Sequence, residues 1–121
     1  MLFHIFNSQE DRRAYGGSAF IEIQFCKLPA KRIRNKRVAL RNLNHWQNDS
    51  LYIDIDDENL FYNEYHHIFD TVDIFGMNYY GPESIKPIIE KIITTKPMEY
   101  EVLVEWLIKA KEFNGFYILG L

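Results

Sequence analysis

From Ala19 to Cys26 the chain alternates, with Ala19, Ile21, Ile23 and Phe25 on one parity and Phe20, Glu22, Gln24 and Cys26 on the other. A two-residue period belongs to a strand with one buried face, so a half-buried strand is predicted over 18–26. Leu51, Ile53 and Ile55 alternate with Tyr52, Asp54 and Asp56, which predicts another strand with an acidic outer face. The short apolar run 2–6 reads as a first strand, and the polar stretch ending in Gly16-Gly17 reads as a loop. Ile33, Val38, Leu40 and Leu43 are the apolar positions of a basic segment over 30–43, where a strand from 37 to 43 is preferred over a helix. Asn42–Ser50 is a polar loop around Trp46. Over 57–70, Phe61, Tyr65, Ile68 and Phe69 fit helical spacing with Asp56 or Asp57 as N-cap, yet the aromatic richness also suits a strand. Both remain open. Residues 71–76 read as extended and 76–81 as an aromatic loop.

The C-terminal third carries helical periods. Ile85, Ile88, Ile89, Ile92 and Ile93 form an i, i+3, i+4, i+7, i+8 stripe, with Ser84 as the expected N-cap. A second helix is predicted to start at Pro97, to bury Leu103, Trp106, Leu107, Ala110 and Phe113, and to end at Asn114-Gly115. Phe116–Leu121 is apolar on both parities, the mark of a strand central in its sheet. The reading is one α+β domain spanning 1–121: a mainly antiparallel sheet, two C-terminal helices on one face, and a final strand. A chain of 121 residues with 47% hydrophobic and 26% charged residues is of the size and composition of one globular domain. With no apolar run near 20 residues and no signal-like start, a soluble cytoplasmic protein is expected.

Charge changes the picture. Residues 1–41 hold nine Lys/Arg against three Asp/Glu, whereas 42–85 hold nine Asp/Glu and no Lys or Arg. Seven cations crowd into 27–41: Lys27, Lys31, Arg32, Arg34, Lys36, Arg37 and Arg41. The two segments either neutralise each other in the fold or face different partners. Catalytic signatures are missing from the sequence: it has no phosphate-binding glycine loop, no nucleophile elbow, no H-E-x-x-H and no carboxylate two residues before a lysine. Cys26 is the single cysteine, which excludes an internal disulfide. His66 and Asp70 would share a helix face, but two ligands are too few for a metal site. No enzymatic activity and no cofactor are expected.

A binding protein fits the residues better. The segment 42–85 combines its carboxylates with nine aromatic residues, a mixture suited to docking on a basic protein that normally grips a polyanion. The contacts expected on this basis are Asp54, Asp56, Asp57, Glu58, Glu64, Asp70 and Asp73, with Tyr62 and Tyr65 as aromatic anchors. The alternative is a small nucleic-acid-binding domain using the basic segment 27–41.

The run Ile74-Phe75-Gly76-Met77-Asn78-Tyr79-Tyr80-Gly81-Pro82-Glu83-Ser84, the Ile-rich helix, Trp106-Leu107 and the ending Asn114-Gly115-Phe116-Tyr117-Ile118-Leu119-Gly120-Leu121 resemble small bacterial immunity proteins. These are the inhibitors found in contact-dependent growth inhibition and related polymorphic toxin systems. The resemblance covers 74–121 and implies a cytoplasmic inhibitor without cofactor. It would block the active site of one cognate toxin domain, a nuclease by the charge argument, in a 1:1 complex. The resemblance itself assigns no contact residue.

Overall fold

The computed structural model describes residues 1–15, 19–33, 35–41, 43–69 and 76–120. In chain order the elements are α1 (Gln9–Ala14), β1 (Phe20–Phe25), α2 (Lys36–Arg41), β2 (Leu51–Asp54), α3 (Glu58–Tyr65), β3 (Met77–Tyr80), α4 (Ile85–Thr95), α5 (Tyr100–Ala110) and β4 (Phe116–Leu119). The strands form one antiparallel sheet in the order β2-β1-β4-β3. The fold is α+β, and the last strand in sequence is central in the sheet.

Strand parity builds two cores, one on each face. Ile21, Ile23 and Phe25 of β1, Leu51 and Ile53 of β2, and Phe116 and Ile118 of β4 point into the main core. There they meet Phe61 and Tyr65 of α3, Ile85, Ile88, Ile89 and Ile92 of α4, and Leu103, Trp106, Leu107 and Ala110 of α5. Phe25 stacks on Trp106 with centroids 4.1 Å apart. On the other face Tyr117 and Leu119 pack with Cys26 and with Ala39 of α2, while Phe20 and Tyr52 pack with Phe6.

Several elements differ from the sequence reading, each for a local reason. β1 is buried along its whole length rather than half-buried, because α2 and the 44–50 loop cover its polar parity. Residues 37–41 are helical: the Asn35 side chain accepts the Val38 N–H at 3.0 Å, and Ala39 is fully buried in the second core with Leu40 packed against it. Within the expected 7–17 loop lies α1, capped by Ser8, whose hydroxyl accepts the Asp11 N–H. Among the described residues, 2–6 bridge the sheet at His4–Tyr52, and the Leu2 and Phe3 N–H groups donate to the Glu99 carboxylate instead of to a ladder. The ambiguous 57–70 stretch contains the helix α3, and the aromatic loop contains the strand β3. Ser84 stands at the α4 N-cap without a side-chain cap, its hydroxyl turned back to the Gly81 carbonyl. α5 begins at Tyr100 rather than Pro97, after Glu99 in a left-handed conformation.

Buried phenols make this fold sensitive to alkali. Burial pushes Tyr52 and Tyr79 up to about 12, and raises Tyr65 and Tyr117 still further. The raised values belong to the folded state, so the neutral phenols stabilise it fully below the ordinary value of 10.0, and that contribution is lost as pH climbs from there toward 12. Unfolding coupled to phenolate absorbance is therefore expected across this window. Titration of Tyr52, Tyr65, Tyr79 and Tyr117 at the ordinary value of 10.0 in a protein that stays folded would contradict it.

Candidate partner-binding surface

The acidic residues reach the surface through a change of element at the end of β2. Asp54 lies opposite Phe20 in the ladder, where the strand gives way to a single 3-10 turn over Ile55–Asp57. The Asp54 carboxylate accepts the Asp56 N–H at 3.0 Å and starts that turn. α3 follows at once, with acids clustered at its positive end. Asp56 is exposed, and Asp54, Asp57 and Glu58 are half-buried. One Glu58 oxygen is shielded from solvent and has no hydrogen-bond partner among the described residues. Further along α3, Tyr62 is 49% exposed and stacks on the exposed His66 at 5.4 Å, and Leu60 is also exposed. The result is an acidic ridge with an aromatic and an aliphatic side chain beside it.

Two residues expected on this surface serve the fold. Tyr65 is buried, packs on Phe3 and Phe61, and donates its phenol to the Met98 carbonyl at 2.6 Å, so it is no outward anchor. The Glu64 carboxylate is half-buried and accepts the Met98 N–H at 2.6 Å. Together they hold the loop between α4 and α5. Asp70, Asp73 and the stretch 71–75 lie outside the described residues.

Comparisons with protein-family models, with curated proteins and with solved structures return no match for this chain.

Apart from Lys27, the described cations of the basic segment face elsewhere. Lys31 and Arg32 lie on a 3-10 turn, and Arg37 and Arg41 on α2, all exposed. α2 packs under the sheet beside β3 and β4, whereas α3 packs over it beside β2, the opposite edge. From β2 to β3 are three strand spacings, about 14 Å at ~4.8 Å each. That exceeds the ~8 Å over which surface charges interact in physiological salt. Among the described residues the side-chain ion pair within 4.0 Å is Lys27–Asp49, at 2.8 Å. The ridge carboxylates therefore stay unpaired by the described lysines and arginines.

Among the described residues no group of three or more His, Cys, Asp or Glu is placed to hold a metal ion. His66 Nδ1 lies 3.1 Å from the Tyr62 carbonyl, and His67 Nε2 lies 2.8 Å from the Thr95 hydroxyl. Cys26 is fully buried, with its Sγ 3.3 Å from the Tyr117 hydroxyl. Among the described residues no helix is long and apolar enough to cross a membrane.

The residue that sequence reasoning missed is Glu22. Its alternation placed it on an outer face, yet it is completely buried. Its carboxylate accepts from the Ser50 hydroxyl at 2.6 Å, the Trp46 and Gln47 N–H groups at 2.8 and 2.9 Å, and the Gln24 amide at 3.0 Å. Trp46 sits there at φ 66, under the Arg12 guanidinium at 4.2 Å. The polar pair Glu22 and Gln24 inside an otherwise apolar strand is the signal that could have pointed to it.

Proposed function

We propose that this protein is an inhibitor of the immunity type, which uses the acidic ridge to occupy the active site of a basic toxin domain. The observation that carries the reading is the run Asp54, Asp56, Asp57 and Glu58, at or near the surface and unmatched by any described cation. A nuclease site is electropositive because it must hold phosphates, so a rigid row of carboxylates competes for the same field. Tyr62 supplies the aromatic anchor that charge alone lacks, since buried aromatic side chains near an interface centre carry much of its affinity, and Leu60 adds apolar area beside it. The resemblance of residues 74–121 to immunity proteins points the same way, and the working contact set becomes Asp54, Asp56, Asp57, Glu58 and Tyr62. Such an inhibitor needs no cofactor and acts by a 1:1 protein contact in the cytoplasm of the cell it protects.

The test is co-expression with the C-terminal domain encoded by the adjoining upstream reading frame, which this reading expects to be toxic. The wild-type chain should restore growth and co-purify with that domain. The D56K/D57K/E58K variant, shown to be folded by circular dichroism, should associate about 10- to 100-fold more slowly and protect poorly. Full protection by the folded variant would remove the ridge from the mechanism. The second reading, nucleic acid bound by exposed Lys31, Arg32, Arg37 and Arg41, requires oligonucleotide binding that falls steeply with salt.

A further inference from the structure

A shallow groove opens between α2 and the edge strand β3, lined by Arg37, Leu40, Arg41 and Met77 and enclosing about 460 Å³. Its floor is apolar: Met77 is 50% exposed and Leu40 half-buried. Its rim is cationic, and neither arginine makes an ion pair among the described residues. An apolar floor with guanidinium edges fits a protein surface carrying carboxylates around an aliphatic side chain better than it fits a nucleic acid, because among the described residues no aromatic side chain lines it for base stacking.

That description matches a surface of this same chain. The ridge presents exposed Leu60 and Tyr62 beside Asp56, Asp57 and Glu58. Groove and ridge lie on opposite faces and at opposite edges of the sheet, so one molecule cannot bring its own pair together. We propose that the groove of one copy takes the ridge of another, a head-to-tail association through unlike surfaces. Such a contact leaves one groove and one ridge free at the ends, and grows or closes into a ring according to its rotation. It is weak and salt-sensitive, because most of its attraction comes from exposed charge. Association of this kind stands apart from the inhibitory reading, although it would cover the ridge assigned to the toxin.

Sedimentation equilibrium tests it, at about 20 mM and about 500 mM salt and from about 10 μM to about 1 mM protein. Mass should rise above 14.5 kDa with concentration at low salt and return to the monomer value at high salt. R37E/R41E and D56K/D57K/E58K should each remain monomeric alone, and their equimolar mixture should associate again, because the native ridge of the first meets the native groove of the second and the two reversed surfaces also attract. A wild-type chain that stays monomeric at every concentration overturns the proposal. So does self-association that survives both charge reversals. Retarded migration of an oligonucleotide by the wild type but not by R37E/R41E would assign the groove to nucleic acid and overturn it too. R37E/R41E leaves the ridge intact, so it should still neutralise the toxin domain; loss of self-association with retained protection separates the two readings.

Discussion

Replacing Glu22 by alanine is expected to lower stability by about 3–5 kcal/mol, read from denaturant unfolding. The carboxylate accepts from the Ser50 hydroxyl, two backbone N–H groups and the Gln24 amide in a site that water does not reach. Truncation strands these donors, and each buried unpaired donor costs about 1–3 kcal/mol. A second cost is conformational: Trp46 occupies left-handed backbone space, which a bulky residue adopts only when its surroundings fix it, and its N–H is fixed by Glu22. Glu22→Gln keeps the shape but turns an amide donor toward some of these donors, so an intermediate loss of about 2 kcal/mol is expected. Against a total stability of about 5–15 kcal/mol, the alanine variant should be close to unfolded at elevated temperature. Stability of E22A within about 0.5 kcal/mol of wild type would mean that the 44–50 loop is organised by something else.

The second large effect is expected at Gly115, where α5 passes into β4. Its φ of 89 lies in the region that L residues avoid, and a Cβ there would fall onto the Tyr80 carbonyl oxygen. The Gly115 carbonyl also accepts the Cys26 N–H at 3.0 Å, so the segment cannot retreat without breaking its contact with the end of β1. Gly115→Ala is therefore expected to cost about 3 kcal/mol or more, the sum of backbone strain and a displaced edge strand. Gly81→Ala is the control. Its φ is −68, and the atoms nearest the added methyl belong to the end of the flexible Glu83 side chain, which can move aside, so a loss below about 1 kcal/mol is expected. Equal losses at the two glycines would refute the assignment of strain to Gly115.

Legibility in the sequence followed the strength of the hydrophobic period. The Ile stripe of α4 and the apolar face of α5 are long enough to be unambiguous, and both are buried except at their last positions: Ile93 is 50% exposed, and Phe113, beyond the end of α5 at Ala110, is half-buried. β4 was legible as central because both its parities are apolar, and Phe116 and Ile118 serve one core while Tyr117 and Leu119 serve the other. Short elements were opaque. α1 buries an arginine, which carries no hydrophobic period, and α2 is six residues whose Val38 and Leu40 mimic a strand. At the ridge, charge announced Asp54–Glu58, but the roles of Glu64 and Tyr65 were set by a loop more than 30 residues away in sequence. No local pattern reports such a partner.

Under the proposed function, the carboxylates at the end of β2 and the start of α3 meet the partner. Hydrogen exchange of the complex with the co-expressed toxin domain reads this directly, segment by segment. Slowed exchange over residues 54–66, with α2 unchanged, is the expected footprint. Slowed exchange over α2 and β3, with 54–66 exchanging as in the free chain, would contradict it.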